Sequence, residues 1–117
     1  MPKKFMRSFK YARAGAEHVL ATQRNIWIHL GVGGLVLLAA VALKLPALEM
    51  AVIILTVTVV ITAETFNTAL EALVDLVKPE DHPLAALVKN VAAGAVLAAS
   101  VGAVLVGLLI FIPRLMR

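Results

Sequence analysis

The sequence has no cysteine, few charged residues (15%) and few aromatic residues, with one Trp and one Tyr. The absence of cysteine excludes disulfide bonds and thiolate metal sites, and it leaves the redox compartment undetermined. The hydrophobic content of 62% and the mean hydropathy of +0.96 lie far from the averages of soluble domains. Composition therefore indicates a membrane protein.

The length of 117 residues leaves room for one domain, and no internal repeat or low-complexity segment is evident. A net charge of +4 is compatible with nucleic-acid binding. However, aromatic and basic residues occur together in one segment, and the rest of the chain is apolar. A membrane surface is the better partner for this charge, so we expect no nucleic-acid partner.

The segment 3–24 predicts an amphipathic helix that is basic on one side and aromatic or small on the other. A surface helix of a soluble domain is the alternative, but no soluble core follows, which favours a helix at the membrane interface. A signal peptide cleaved near Ala40-Val41-Ala42 is disfavoured, because its basic region would be unusually long and the remaining chain would still be hydrophobic.

Three apolar segments are long enough to cross a bilayer as helices, at residues 26–45, 48–77 and 84–112. Glycines at 31, 33 and 34 predict a close helix contact near the start of the first segment. Pro46 ends that segment, and Pro113 ends the third, because proline disfavours helical geometry in the preceding residue. The predicted fold class is all-α, with an amino-terminal interfacial helix and three transmembrane helices.

The orientation in the membrane follows from the distribution of the 11 Lys and Arg residues. Three lie on one side, and they are Lys44, Arg114 and Arg117. Eight lie on the other, and they are Lys3, Lys4, Arg7, Lys10, Arg13, Arg24, Lys78 and Lys89. The amino terminus and the loop after the second span are therefore predicted to be cytoplasmic.

A narrow polar stripe runs along the second predicted span and consists of Glu64, Asn67, Glu71 and Asp75. At 100° per residue these side chains fall at about 0°, 300°, 340° and 20°, on one face of a helix. A carboxylate inside the bilayer costs roughly 2.5–3.5 kcal/mol, so the stripe requires a metal ion, a cationic ligand or a polar cavity. The alternative, a helix merely leaving the membrane, explains Asp75 better than it explains Glu64.

Carboxylates and an amide at helical spacing suit Mg²⁺, which takes few protein ligands and binds phosphates. Lys89 and the basic amino-terminal helix are candidate phosphate ligands. The sequence contains no Walker A motif, so a nucleotide site would have to form between helices. His29 is interpreted as a packing residue rather than a ligand, and the three histidines have no metal-binding spacing.

The segment from Glu64 to Asp75, ETFNTALEALVD, resembles the signature of the bacterial integral-membrane diacylglycerol kinase family, and in particular its Gram-positive undecaprenol kinase branch. This chain also resembles the same branch in five further segments, at residues 8–12, 22–25, 28–29, 82–84 and 89–96. The likeness covers almost the whole chain. It implies a homotrimer in a bacterial inner membrane that uses Mg²⁺ and ATP to phosphorylate a lipid alcohol, undecaprenol or diacylglycerol.

The resemblance also implies a role for individual residues. Glu64 would be the general base that accepts the proton of the lipid alcohol, Asn67 would orient that site, and Glu71 would bind the metal. Lys4 falls where a related branch has an arginine near both substrates. The positions that contact nucleotide in the family are Tyr11, Glu80, Asp81, His82, Lys89 and Asn90.

Two residues depart from the family pattern. Gln23 stands where a second metal-binding glutamate is usual, and Asn90 stands where an aspartate follows the lysine. Each change replaces a carboxylate by an amide, which offers an oxygen but no charge. A non-catalytic relative and a small ion-coupled transporter, with Glu64 and Glu71 as a relay, are the alternative functions.

Overall fold

The computed structural model describes residues 2–116, which form four helices joined by short connections. The helices are α1 (Pro2–Thr22), α2 (Arg24–Ala42), α3 (Ala47–Val77) and α4 (Pro83–Leu115). Three of them, α2, α3 and α4, are long and apolar enough to cross a membrane. The predicted fold class, an amino-terminal helix followed by three candidate spans, is confirmed.

The helix α1 is almost entirely exposed, and Val19 is its one buried residue within the described chain. It ends at Thr22 and not at residue 24 as expected, because Gln23 adopts an extended conformation and precedes the first turn of α2. The Trp27 indole Nε1 donates a hydrogen bond of 2.7 Å to the Leu20 carbonyl, which ties α1 to the start of α2. The structure contains no bilayer, so the interfacial location of α1 stays a prediction.

The helix α2 ends at Ala42, three residues before the predicted end, in a hydrogen-bonded cap rather than at Pro46. The Leu45 amide donates to the Ala40 carbonyl and the Lys44 amide donates to the Val41 carbonyl, which is the Schellman arrangement. Lys44 adopts a left-handed conformation with φ of 54°, although it is not glycine. This turn brings Leu45 against Ala40 and Ile53 in a small buried cluster.

The long helix α3 lies between α2 and α4 and contacts both. Gly33 of α2 approaches Val57 of α3 so closely that an added methyl group would lie 2.8 Å from Val57 Cγ1. Gly31 and Gly34 face open space within the chain, so the predicted glycine contact is made by Gly33. The span is 31 residues long, about 46 Å at 1.5 Å per residue, and therefore exceeds the hydrocarbon core of a bilayer.

The hairpin of α3 and α4 is held at both ends. His82 caps α4 by accepting a hydrogen bond from the Leu84 amide on its Nδ1, and Pro83 occupies the first turn. At the far end the Arg114 guanidinium donates two hydrogen bonds to Glu49 Oε2, at 2.7 and 3.0 Å. The expected end of the helix at Ile112 is wrong, because Pro113 is accommodated in the last turns and the helix continues to Leu115.

Candidate active site

The polar stripe occupies the second half of α3, and burial decreases along it. Glu64 is 3% exposed and Asn67 is 9% exposed, whereas Glu71 is half-buried and the Asp75 side chain is exposed. An ionised carboxylate is rarely buried without a partner, because desolvation opposes its charge. Among the described residues Glu64 is the one buried carboxylate, so it is the acidic group that most needs a partner.

The contacts of the stripe are few. The His29 Nε2 of α2 lies 3.6 Å from Glu64 Oε2. The Asn67 Nδ2 donates to Glu71 Oε1 at 3.4 Å, a long hydrogen bond, and orients the amide along the helix. The Asn67 Oδ1 is buried and has no hydrogen-bond partner among the described residues. A buried acceptor without a donor is a candidate contact for a ligand, an ion or a water molecule.

A second polar cluster, here called the loop cavity, lies where α3 turns into α4. It encloses about 430 Å³, and it is lined by Asp75, Lys78, Pro79, Glu80, Asp81, His82, Pro83, Ala85, Ala86 and Lys89. The Lys89 ammonium donates to Asp75 Oδ1 at 2.6 Å, which holds it over the cavity. An ammonium has three donors, so two remain for an anionic ligand.

The carboxylate of Glu80 stands at the rim of the loop cavity. A hydrogen bond from its own backbone N–H, and then the Lys78 ammonium at 3.1 Å, lower the pKa of the Glu80 carboxyl below its ordinary value. Glu80 is therefore ionised at neutral pH and pairs with Lys78. The cavity thus combines positive and negative groups, which suits a ligand that is anionic at one end and polar at the other.

The structure brings together some of the sequence-predicted site residues and leaves others apart. The loop cavity gathers Glu80, Asp81, His82 and Lys89. Asn90 is exposed beside it, and Tyr11 and Lys4 lie exposed on α1. Gln23 is half-buried, and its Nε2 donates to Thr22 Oγ1 at 3.3 Å. Among residues 2–116 no group of three or more His, Asp or Glu side chains is arranged to hold a metal ion.

Two pairings were not predicted from the sequence, namely His29 with Glu64 and Asp75 with Lys89. A signal for both exists. His29 and Glu64 are nearly equidistant from the turn at Pro46, and Asp75 and Lys89 are equidistant from His82. Residues placed symmetrically about a short connection lie at the same level of an antiparallel helical hairpin.

Fold and site together define a multi-pass α-helical membrane protein with a buried carboxylate and a buried amide just past the middle of its central helix. The family model of the prokaryotic diacylglycerol kinases matches residues 10–111. The chain belongs to this family. The matched region contains every predicted site residue except Lys4.

Two curated relatives agree with this assignment. A diacylglycerol kinase of Synechocystis sp. is 46% identical over 110 residues, which are 93% of this chain and 63% of the relative. An undecaprenol kinase of Bacillus subtilis is 37% identical over 112 residues, which are 96% of this chain and 91% of the relative. The chain thus spans less than two thirds of the Synechocystis protein and nearly the whole of the Bacillus protein.

Proposed function

We propose that this protein is a lipid kinase that transfers the γ-phosphoryl group of ATP to the hydroxyl group of a membrane lipid alcohol. The observation that carries the proposal is the buried carboxylate of Glu64, 3% exposed, on a helix whose neighbouring surface is apolar. A lipid hydroxyl can reach such a group without leaving the membrane. The names of the two relatives, both lipid kinases, support the same reaction.

In the proposed reaction the Glu64 carboxylate accepts the proton as the O–H bond of the alcohol breaks. The alcohol oxygen forms a bond to the γ-phosphorus, and the bond from that phosphorus to the bridging oxygen breaks, so that ADP leaves with the electron pair. Phosphoryl transfer depends mainly on positioning and charge neutralisation. A correctly placed base contributes about 10²–10⁴-fold to such a step.

The loop cavity is the proposed site of the nucleotide. Glu64 and Asp75 are separated by about 16 Å along the axis of α3 at 1.5 Å per residue, so a nucleotide lying along the helix connects the two sites. Lys89 contributes its two free donors to phosphate oxygens. The His82 imidazole and the acidic side chains of Glu80 and Asp81 line the same cavity.

The donor set fits Mg²⁺ as the companion of ATP. Glu71 offers a carboxylate, and the unpartnered Asn67 Oδ1 lies on the same stripe. Among residues 2–116 no group of three or more His, Asp or Glu side chains is arranged to hold an ion by itself, and Mg²⁺ takes few protein ligands and binds together with phosphates. When bound, the ion would neutralise charge on the phosphate oxygens. Glu71 would hold it, with Gln23 as a neutral second ligand.

The side of the membrane and the assembly also belong to this proposal. The excess of Lys and Arg near α1 and the loop cavity supports a cytoplasmic site in the inner membrane of a bacterium. Tyr11 and Lys4 are exposed on α1, and large apolar side chains such as Leu38 and Leu105 are exposed on α2 and α4. A homotrimer, as in the resembled family, would cover these faces and bring α1 of one copy to the site of the next.

The acceptor is a lipid alcohol of the class that contains undecaprenol and diacylglycerol. The Gram-positive sequence features and near-complete coverage of the Bacillus relative support undecaprenol. The higher identity to the Synechocystis relative supports diacylglycerol. Direct competition between the two lipids in one assay distinguishes them.

The experiment uses the purified full chain in lipid nanodiscs with labelled ATP, Mg²⁺ and each lipid alcohol. We expect label in the lipid and a loss of about 10²–10⁴-fold in kcat for Glu64→Gln. Glu17→Gln is the matched control, because Glu17 is an exposed glutamate on α1 paired with Arg13. If neither lipid becomes labelled, the kinase proposal is refuted. If Glu64→Gln keeps full activity, Glu64 is not the base.

A further inference from the structure

Among the described residues, the buried carboxylate of Glu64 has one charged or titratable side chain within 4 Å, and this is His29 of α2. Its Nε2 lies 3.6 Å from Glu64 Oε2, slightly beyond hydrogen-bond length. An ionised carboxylate can only accept, so a hydrogen bond between the two requires the proton on Nε2 of the imidazole. Catalytic hydrogen bonds are often long without substrate and shorten in the reacting complex.

The surroundings of His29 differ sharply on its two sides. Behind the ring lies an apolar groove of about 520 Å³ between α2 and α4, with α3 as its floor. Two further polar side chains line this groove, Thr56 and Ser100. The Thr56 hydroxyl is already bonded to the Val52 carbonyl. The imidazole, which is mostly buried, therefore has Glu64 as the polar partner facing it across the α2–α3 contact.

We propose that His29 is a positioning residue for the general base. Its Nε2–H donates to Glu64 Oε2, which leaves Oε1 as the oxygen that accepts the proton from the lipid alcohol. This inference rests on the proposed kinase function. The backbone already fixes the level of the two residues, because α2 and α3 meet closely at Gly33 and Val57, one turn further along α2.

The physical reason for such a device is the flexibility of a glutamate side chain. A Glu side chain loses on the order of 1.5–2 kcal/mol of rotamer freedom when it is fixed. If that ordering is deferred to the reacting complex, it raises the barrier of the reaction. A misplacement of about 1 Å in a reacting group lowers the rate by about 10²-fold. A hydrogen-bond donor that holds Oε2 of Glu64 in place also fixes the direction of Oε1, the oxygen that faces the substrate.

The activity test compares His29→Ala, His29→Gln and the exposed-histidine control His18→Ala. We expect His29→Ala to lower kcat about 10²-fold with the KM for ATP within about twofold of wild type, because the loop cavity is remote from His29. His29→Gln keeps an N–H donor, so we expect its kcat to be at least about tenfold higher than that of His29→Ala. His18→Ala should behave as wild type.

A double-mutant cycle separates positioning from packing. If His29 acts through Glu64, adding His29→Ala to Glu64→Gln lowers kcat no further. An unchanged kcat for His29→Ala overturns the inference. Equal losses for His29→Ala and His29→Gln, or losses that add to that of Glu64→Gln, also overturn it, because they indicate packing alone.

A readout independent of turnover distinguishes failure of this inference from failure of the kinase proposal. The chain has three histidines, so ¹⁵N-histidine spectra of the full chain in nanodiscs can be assigned with His18→Ala and His29→Gln. We expect the Nε2–H resonance of His29 to shift on Glu64→Gln. A resonance that does not shift overturns the contact, whether or not the protein phosphorylates lipids.

Discussion

The close approach of Gly33 in α2 to Val57 in α3 offers a quantitative test of the packing. A methyl group added by Gly33→Ala would lie 2.8 Å from Val57 Cγ1, a distance that requires one side to move. Val57 cannot turn aside cheaply, because a β-branched side chain in a helix has one strongly preferred rotamer. The helices must therefore separate at this level.

The expected magnitude follows from two opposing effects. Overpacking lowers the free energy of unfolding by about 1–3 kcal/mol, and replacing Gly by Ala inside a helix raises it by about 0.5–1 kcal/mol. The net loss for Gly33→Ala is therefore roughly 0–2.5 kcal/mol. Gly31→Ala is the matched control on the same helix, because its added methyl meets no atom within 4 Å. It should stabilise the chain by about 0.5–1 kcal/mol.

The measurement is reversible unfolding by SDS in nonionic micelles. The single Trp, Trp27, provides the fluorescence signal near the start of α2. Val57→Ala makes room for the methyl group added by Gly33→Ala. The double variant should therefore have a higher free energy of unfolding than the sum of the two separate losses predicts. A Gly33→Ala variant as stable as Gly31→Ala, or no coupling to Val57→Ala, would show that the helices do not meet here as described.

Two further predictions concern the metal and the nucleotide. Gln23→Glu supplies the carboxylate that is usual in the family and should lower the Mg²⁺ concentration for half-maximal rate; no change would mean that position 23 is not a ligand in this chain. Asp75→Ala removes the 2.6 Å partner that holds Lys89 over the loop cavity, so the KM for ATP should rise several-fold while kcat changes less. The measurement varies ATP at saturating lipid, and an unchanged KM would separate Lys89 from nucleotide binding.

The sequence predicts the helices well, because each span is a long apolar run. A run of this length forms neither a strand nor the surface of a soluble domain, so a membrane-spanning helix is the structure that fits it. The sequence also predicts that the polar stripe lies on one face, since periodicity alone determines that arrangement. The decrease in burial from Glu64 to Asp75 was anticipated only in part. This decrease in burial depends on how far α2 extends beside α3, and the sequence of α3 alone does not determine that.

The helix ends show where local rules fail. Proline near position 46 suggested a stop at Leu45, yet the stop at Ala42 comes from a left-handed Lys44, a conformation that its side chain does not favour. Pro113 suggested an end at Ile112, yet the helix continues to Leu115. At that end Arg114 is bonded to Glu49 of another helix, and tertiary contacts of this kind override the local preference.

The positions of Tyr11 and Lys4 show a different limit. Their proposed roles come from resemblance, and within one chain α1 leaves them exposed. The sequence pattern of α1 predicts which face of the helix is apolar, but it does not predict which active site the helix lies near. His29 is the opposite case, since its level beside Glu64 follows from counting residues on either side of the turn at Pro46.

The order of the helix contacts has a consequence for synthesis. The substantial contacts join α1 with α2, α2 with α3, and α3 with α4, each to its neighbour along the chain. Such a sequential pattern has low contact order, which favours rapid assembly. As the chain leaves the ribosome, α2 and α3 can pair and bring His29 to Glu64 before α4 has been translated. The loop cavity and the Glu49–Arg114 bond can form only after α4 has been translated, because each contains residues of α4.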